Sequence, residues 1–211
     1  MRIDQVLEAD LQWREAELAS LKRLAINAEE GSVTHQSLLR ALWAMLYAHF
    51  EGFTKYTWDT LFDYIQDEKI PKHSLSETFA MIALEKDFKE LRSALDAASI
   101  MKFLNVSMPA AMQSEAEFPD EIRLKTDSNL WPNVFEREVE KIGISCEELS
   151  KHRARIKALV ARRNDIAHGK LMTISSVSEY HAYENSALCL MHELAIKTIE
   201  LVDANGFRKL A

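Results

Sequence analysis

The segment from 34 to 66 constrains the fold most, because its apolar residues recur at the spacing of one long α-helix. Seven side chains share a single broad arc: Leu38, Leu42, Met45, Leu46, His49, Phe50 and Phe53. A second stripe of the same helix mixes charged and aromatic residues, namely Arg40, Tyr47, Glu51 and Trp58. Polar groups on an otherwise apolar helix require partners, so we expect other helices to pack around this one.

Helical spacing continues outside this segment and predicts an all-α, bundle-like fold. The 211 residues include only five Gly and four Pro, which disfavours a turn-rich β fold. We expect a single domain over 1–211, with an N-terminal helix in 1–30 and an irregular insertion over 67–127 containing a helical stretch from 88 to 103. A short helix over 131–142 should follow. Capping-box spacings at Ser145 with Glu148, and at Ser176 with Glu179, predict two further helices within 145–205.

Composition is typical of a globular protein, and the sequence gives no sign of a membrane protein, a cysteine-based metal or redox site, or a glycine-rich phosphate loop. The longest apolar run, Ala41 to Ala48, is far below the roughly 20 residues that span a bilayer. The N-terminus has no basic-then-apolar leader, so we expect a cytoplasmic protein without a membrane partner. The two cysteines form no metal or redox motif, and no glycine-rich phosphate loop is present. No cofactor and no metal site are therefore expected.

The chemically informative stretch is Arg162-Arg163-Asn164-Asp165-Ile166-Ala167-His168-Gly169. Arginine presents a permanently charged, planar fork of donors that fits a phosphate, and histidine exchanges protons near neutral pH. Asn164 and His168 are four residues apart and share a helix face, whereas Arg163 lies off that face. Gly169 is a suitable residue to end the helix. The same pattern also occurs at ordinary solvated helix ends.

Charge is unevenly distributed around this motif. The chain carries a net charge of −7, which by itself disfavours a nucleic-acid partner. From 151 to 170, however, seven basic residues face one acid, a net of +6 that leaves −13 on the remainder. This stripe is either the contact for a phosphate backbone or a solvated helix face. Its basic residues are Lys151, Arg153, Arg155, Lys157, Arg162, Arg163 and Lys170.

Three blocks of the sequence together resemble the HEPN superfamily, in particular its stand-alone bacterial nucleases. The first is Arg163-Asn164 followed by His168, with four residues between the arginine and the histidine. The second is the run from Leu46 to Phe53, and the third is Ser128-Asn129-Leu130 before a later helix. The likeness covers roughly residues 35–205.

The resemblance implies a helical domain that forms a homodimer, with two copies of the motif meeting in one composite ribonuclease site. It also implies a toxin or phage-defence effector controlled by a neutralising antitoxin or another operon partner. Some lineages carry a tyrosine two residues after the histidine, which the partner modifies. Lys170 occupies that position here, so the same control is not expected.

We therefore expect a metal-independent endoribonuclease that cleaves RNA through attack of the ribose 2′-OH. Catalytic roles fall to Arg163, Asn164 and His168, and Glu51 is expected to orient Arg163 or His168. The residues expected to bind substrate are Arg162, Lys170, Lys157, Glu51 and Tyr47. Two alternatives stay open. One is a non-catalytic module that binds RNA, a nucleotide or a protein partner, and the other is a purely structural helical dimerisation domain.

Overall fold

The chain is predominantly helical in the part that the structure, a computed structural model, describes: residues 2–94, 96–126, 129–171 and 174–209, with backbone only at position 121. No strand and no membrane-spanning helix occurs within these ranges, and the all-α prediction is confirmed. The helices are α1 (Ile3–Asn27), α2 (Val33–Asp67), α3 (Glu77–Ala83), α4 (Glu85–Ser93), α5 (Ala97–Lys102), α6 (Met108–Gln113), α7 (Pro132–Lys141), α8 (Glu148–Ala167) and α9 (Val177–Asp203). A π-helical turn, Phe103–Ser107, joins α5 to α6.

The four longest helices form a bundle around α2. Helix α2 packs against α1, α8 and α9, and α9 also contacts α1 and α8. Trp43 of α2 is fully buried, and its indole N–H donates to the carbonyl of Leu159 in α8 at 3.1 Å. The Trp43 ring also packs on Tyr183 of α9, with ring centroids 4.5 Å apart. Helix α8 is thereby held at a defined position against α2 and α9.

Helix ends follow local capping rules in some places and tertiary contacts in others. The hydroxyl of Ser32 caps α2, and that of Ser176 accepts the Glu179 N–H at 3.1 Å, as the sequence predicts. The capping box expected at Ser145 and Glu148 is not formed. Instead, the carboxylate of Glu193, from α9, accepts the N–H groups of Glu147 and Glu148 at 2.7 and 3.0 Å. A partner distant in sequence supplies the acceptor that we expected from a local serine.

The segment between α2 and α7 is irregular, as expected for the fold class. The single helical stretch expected from 88 to 103 is wrong, because α4 ends at Ser93 and Asp96 caps a separate helix, α5. Buried rings tie this region to α2: Phe62 stacks on Phe118 at 4.6 Å and meets Phe79 edge-on at 6.3 Å. The assignment of the whole chain to one domain stays a prediction.

A glycine in the middle of α2 makes room for a buried arginine of α1. A Cβ atom at Gly52 would lie 2.9 Å from Nη1 of Arg14, closer than such atoms approach. Arg14 is held by Asp10 at 2.6 Å and lies over the Trp13 ring at 4.6 Å. Burial lowers the pKa of the neighbouring His49, and the charge of Arg14 lowers it further. The negative charges of Glu17 and Asp10 act in the opposite direction but do not outweigh these effects. Packing therefore favours glycine at this position, because a Cβ atom would displace the end of the Arg14 side chain from its contacts. His49 belongs to the same buried cluster.

Gly52→Ala is expected to destabilise the protein by about 1–3 kcal/mol, the usual cost of overpacking. Helix propensity alone predicts the opposite, a gain of roughly 1 kcal/mol. Chemical denaturation measures the free energy of unfolding. The control repeats the substitution in an Arg14→Ala background, where the space is vacant and the same change should stabilise. Destabilisation of equal size in both backgrounds would contradict this explanation.

Candidate functional site on helix α8

The Arg–His motif lies at the C-terminal end of α8, where a left-handed glycine stops the helix. Gly169 has φ of +73°, its N–H bonds the carbonyl of Ile166 at 3.0 Å, and the Lys170 N–H bonds that of Asp165 at 2.9 Å. This is a Schellman ending, so the terminating role expected for Gly169 is observed. His168 is the capping residue, one position beyond the last helical residue. Its side chain is exposed to solvent.

Arg163 is held by three side chains from different parts of the chain. Its guanidinium carbon lies 4.4 Å from the centre of the Tyr47 ring. One nitrogen, Nη1, donates to the side-chain oxygens of Asn129 and Asn164, both at 3.0 Å. Within the described residues, no carboxylate lies at ion-pair distance from this guanidinium. Arg163 is thus fixed in place while much of its charge and several N–H donors stay available.

Tyr47 of α2 forms the platform for Arg163. The side chain is fully buried, and its oxygen accepts the backbone N–H of Leu130 at 2.9 Å. Burial raises the pKa of Tyr47 well above its ordinary value, and the nearby Glu51 raises it further. The hydroxyl therefore stays protonated at neutral pH. Tyr47 contacts Arg163 from within the core, and a direct contact with substrate stays a prediction.

Glu51, one turn after Tyr47, places a negative charge near this cluster. Burial favours a higher pKa for its carboxyl group, but hydrogen bonds from Lys55 and Tyr47 and the charge of Arg163 outweigh it and lower the pKa. The Lys55 contact is 2.8 Å long. Glu51 is therefore ionised at neutral pH. Its electrostatic attraction to Arg163 supports the expectation that it orients the arginine.

The other residues expected to bind substrate do not gather at Arg163. Arg162 turns toward α9, where it pairs with Glu179 and lies 4.8 Å from the Trp43 ring and 5.5 Å from the Tyr183 ring. Lys170 pairs with Asp165 at 2.6 Å. Lys157 is exposed, almost two turns before Arg163 on α8. A role for these three in RNA binding stays a prediction.

Folding neutralises much of the basic stripe seen in the sequence. Four of its seven cations form ion pairs: Lys151 with Glu148, Arg153 with Glu136, Arg162 with Glu179 and Lys170 with Asp165. Three of these acids, Glu136, Glu148 and Glu179, lie outside 151–170 and were counted with the acidic remainder of the chain. The stripe therefore offers fewer free charges than its sequence count suggests, and Arg163 stands out more clearly.

Asn129 is a residue of this cluster to which sequence reasoning gave no role. It contacts Arg163 from the loop before α7, thirty-four positions earlier in the chain. The signal was the block Ser128-Asn129-Leu130, which we used only as evidence of resemblance. Ser128 lies outside the described residues.

The Arg163 cluster is separate from a large groove at the other end of α8. That groove has a volume of about 460 Å³ and is lined by residues including Ser76, Ser145, Lys197 and Gly206. None of its lining residues belongs to the Arg163 cluster.

Comparison with known proteins agrees with this architecture. A family model described as MAE_28990-like HEPN matches residues 3–205, nearly the whole chain. The match spans helices α1 to α9 as described above and includes the Arg163 cluster. No curated protein and no solved structure matches the chain.

Proposed function

Because this chain belongs to the HEPN family, we propose that it is a metal-independent endoribonuclease. The observation that carries the proposal is that Arg163, fixed by its neighbours and with no carboxylate at ion-pair distance among the described residues, occurs at the same helix end as an exposed His168. A cation that holds a phosphate and imidazoles that move protons are the groups that cleavage of RNA by its own 2′-OH uses.

In this scheme the 2′-oxygen attacks the adjacent phosphorus as a base removes its proton. The bond to the 5′-oxygen breaks, and an acid returns a proton to that oxygen. His168 serves as base or acid, and Arg163 stabilises the charge on the phosphoryl oxygens. Asn164, bonded to Arg163, positions the phosphate. The products are a 2′,3′-cyclic phosphate and a free 5′-OH, and DNA is not cut because it lacks the nucleophile.

One histidine does not readily act as base and acid in the same step, so the second comes from a second copy of the chain. Arg163 and His168 are five residues apart, which separates them by about 140° around a helix. Ala154, Ala158 and Ala161 lie on the same face of α8 as His168, and their small side chains permit close approach of another helix. A homodimer in which two α8 ends meet would complete the site.

The same proposal extends to a biological role. As a cytoplasmic toxin or phage-defence effector, the enzyme would be held inactive by an antitoxin or another operon partner. Family membership supports this role. Lys170 stands where some lineages have the modified tyrosine, so control through tyrosine modification at that position is not expected.

The test is incubation of the wild-type protein with total RNA and tRNA in the presence of EDTA, followed by analysis of product ends. We expect cleavage that persists with the chelator, products ending in 2′,3′-cyclic phosphate, and no cleavage of DNA of the same sequence. Light scattering should give the mass of a dimer. Activity that EDTA abolishes, or a strictly monomeric active protein, would contradict the scheme.

A non-catalytic HEPN module that binds RNA, a nucleotide or a protein is the second candidate. The donors around Arg163 favour it as well, since they hold a phosphate equally whether or not the phosphate reacts. RNA binding by the wild type and by His168→Ala, without turnover by either, would identify this function.

A further inference from the structure

Two asparagine side chains share a single nitrogen of Arg163. Both Oδ1 atoms accept from Nη1 at 3.0 Å, one from Asn129 and one from Asn164. Arginine only donates hydrogen bonds, so the amide oxygens, rather than the amide nitrogens, must face it. In each planar amide the NH2 group then points away from Nη1. No hydrogen bond from either NH2 group to another described residue is present.

Asn129 is held firmly enough to act as a fixed donor. Its backbone N–H bonds the carbonyl of Thr126 at 2.9 Å, and its own carbonyl accepts the Trp131 N–H at 3.0 Å. The next residue, Leu130, is fully buried and donates its N–H to the Tyr47 oxygen. The Tyr47 hydroxyl also lies 3.5 Å from Asn129 Oδ1. The loop that contains Asn129 and the side chain of Arg163 therefore both contact the same core side chain, Tyr47.

We propose that Asn129 is a phosphate-contacting residue, whose NH2 group donates to a non-bridging oxygen of the RNA phosphodiester that Arg163 holds. The inference rests on the proposed function for the identity of the ligand. Its chemistry is that of an anion site built from N–H donors, with the guanidinium supplying charge and the amides supplying direction. A purely structural Asn129 would need only its oxygen, so the two roles are separable.

Asn129→Asp removes the NH2 donor, and because it also places a negative charge beside Arg163, its result is read together with that of Asn129→Ser, which adds no charge. The carboxylate keeps an acceptor for Arg163 and adds an ion pair, but replaces the NH2 donor by an oxygen that repels phosphate. We expect this variant to bind a 2′-O-methyl RNA, which is not cleavable, about 10- to 100-fold more weakly than the wild type. Asn133→Asp is the matched control, since it adds the same charge four residues later at an exposed position. Binding by Asn129→Asp within twofold of this control would overturn the proposal.

Thermal unfolding checks that Asn129→Asp is folded. Asn129→Ser adds no charge, and its hydroxyl is too short to reach the position of the amide NH2 group. It should also bind 2′-O-methyl RNA more weakly than the wild type, and wild-type binding by Asn129→Ser would overturn the proposal. Failure of this inference is distinguishable from failure of the proposed function. A wild type that cuts RNA with Asn129→Asp equally active refutes only the role of Asn129. A wild type that binds 2′-O-methyl RNA through Asn129 but cuts nothing refutes only the nuclease.

Discussion

Cleavage of RNA by His168→Ala is expected to be about 10²- to 10⁴-fold slower than by the wild type, the usual contribution of a positioned general acid or base. The fold should be unaffected. His168 lies at the C-cap with its side chain exposed, and only its backbone takes part in the helix ending, through a 2.9 Å bond to Asn164. Substitutions at such surface positions usually change stability by less than about 0.5 kcal/mol. Single-turnover cleavage rates in EDTA, with thermal unfolding alongside, measure both effects.

The matched control for this experiment is His192→Ala. His192 is also an exposed histidine, paired at the surface with Glu15 of α1 and remote in sequence from the motif. Its loss should leave cleavage within a few-fold of the wild type. Equal rates for the two variants would remove His168 from the chemistry and favour the binding module.

The second large effect is expected from Arg163→Lys, which should slow cleavage by about 10²- to 10³-fold although it conserves the charge. Lysine carries a single point charge on a flexible stem and cannot replace a planar fork. It cannot lie flat over Tyr47 while donating to Asn129 and Asn164 at once, so the charge is no longer held at a defined position. The cleavage rate and the binding of uncleavable RNA, measured separately, show whether the substitution impairs the chemical step or RNA binding.

Arg155→Lys is the control, because Arg155 is exposed on the same helix and lies outside the cluster. This conservative change should be silent in both assays. If Arg163→Lys retains cleavage within tenfold of the wild type, charge alone suffices at this position. The contacts to the ring and to the two amides would then have no part in catalysis.

The helical bundle and the location of the motif were predictable because they depend on local patterns. Apolar periodicity identified α1, α2 and α9. Gly169 marked the end of α8, because glycine readily adopts the positive φ with which many helices end. The middle segment was less predictable. There the helices have six to nine residues, too few to show a period, and their ends are set by caps such as Asp96.

The candidate site was predictable only in part, because its contacts join residues distant in sequence. Arg162 and Arg163 are chemically identical and adjacent, yet one lies between two aromatic rings beside Glu179 and the other lies over Tyr47. A rotation of about 100° between neighbours on a helix separates them, and only the packed neighbours decide what each one meets. Asn129 escaped prediction for the same reason. A single sequence contains no record of which loop packs against which helix.

The space at Gly52 has a consequence for how such a sequence can evolve. A lineage that acquires a side chain at Gly52 first must displace Arg14, whereas a lineage that loses Arg14 first leaves the carboxylate of Asp10 buried without its cation. Each order of events passes through an unfavourable intermediate. We therefore expect related sequences either to keep both Gly52 and Arg14 or to have replaced both.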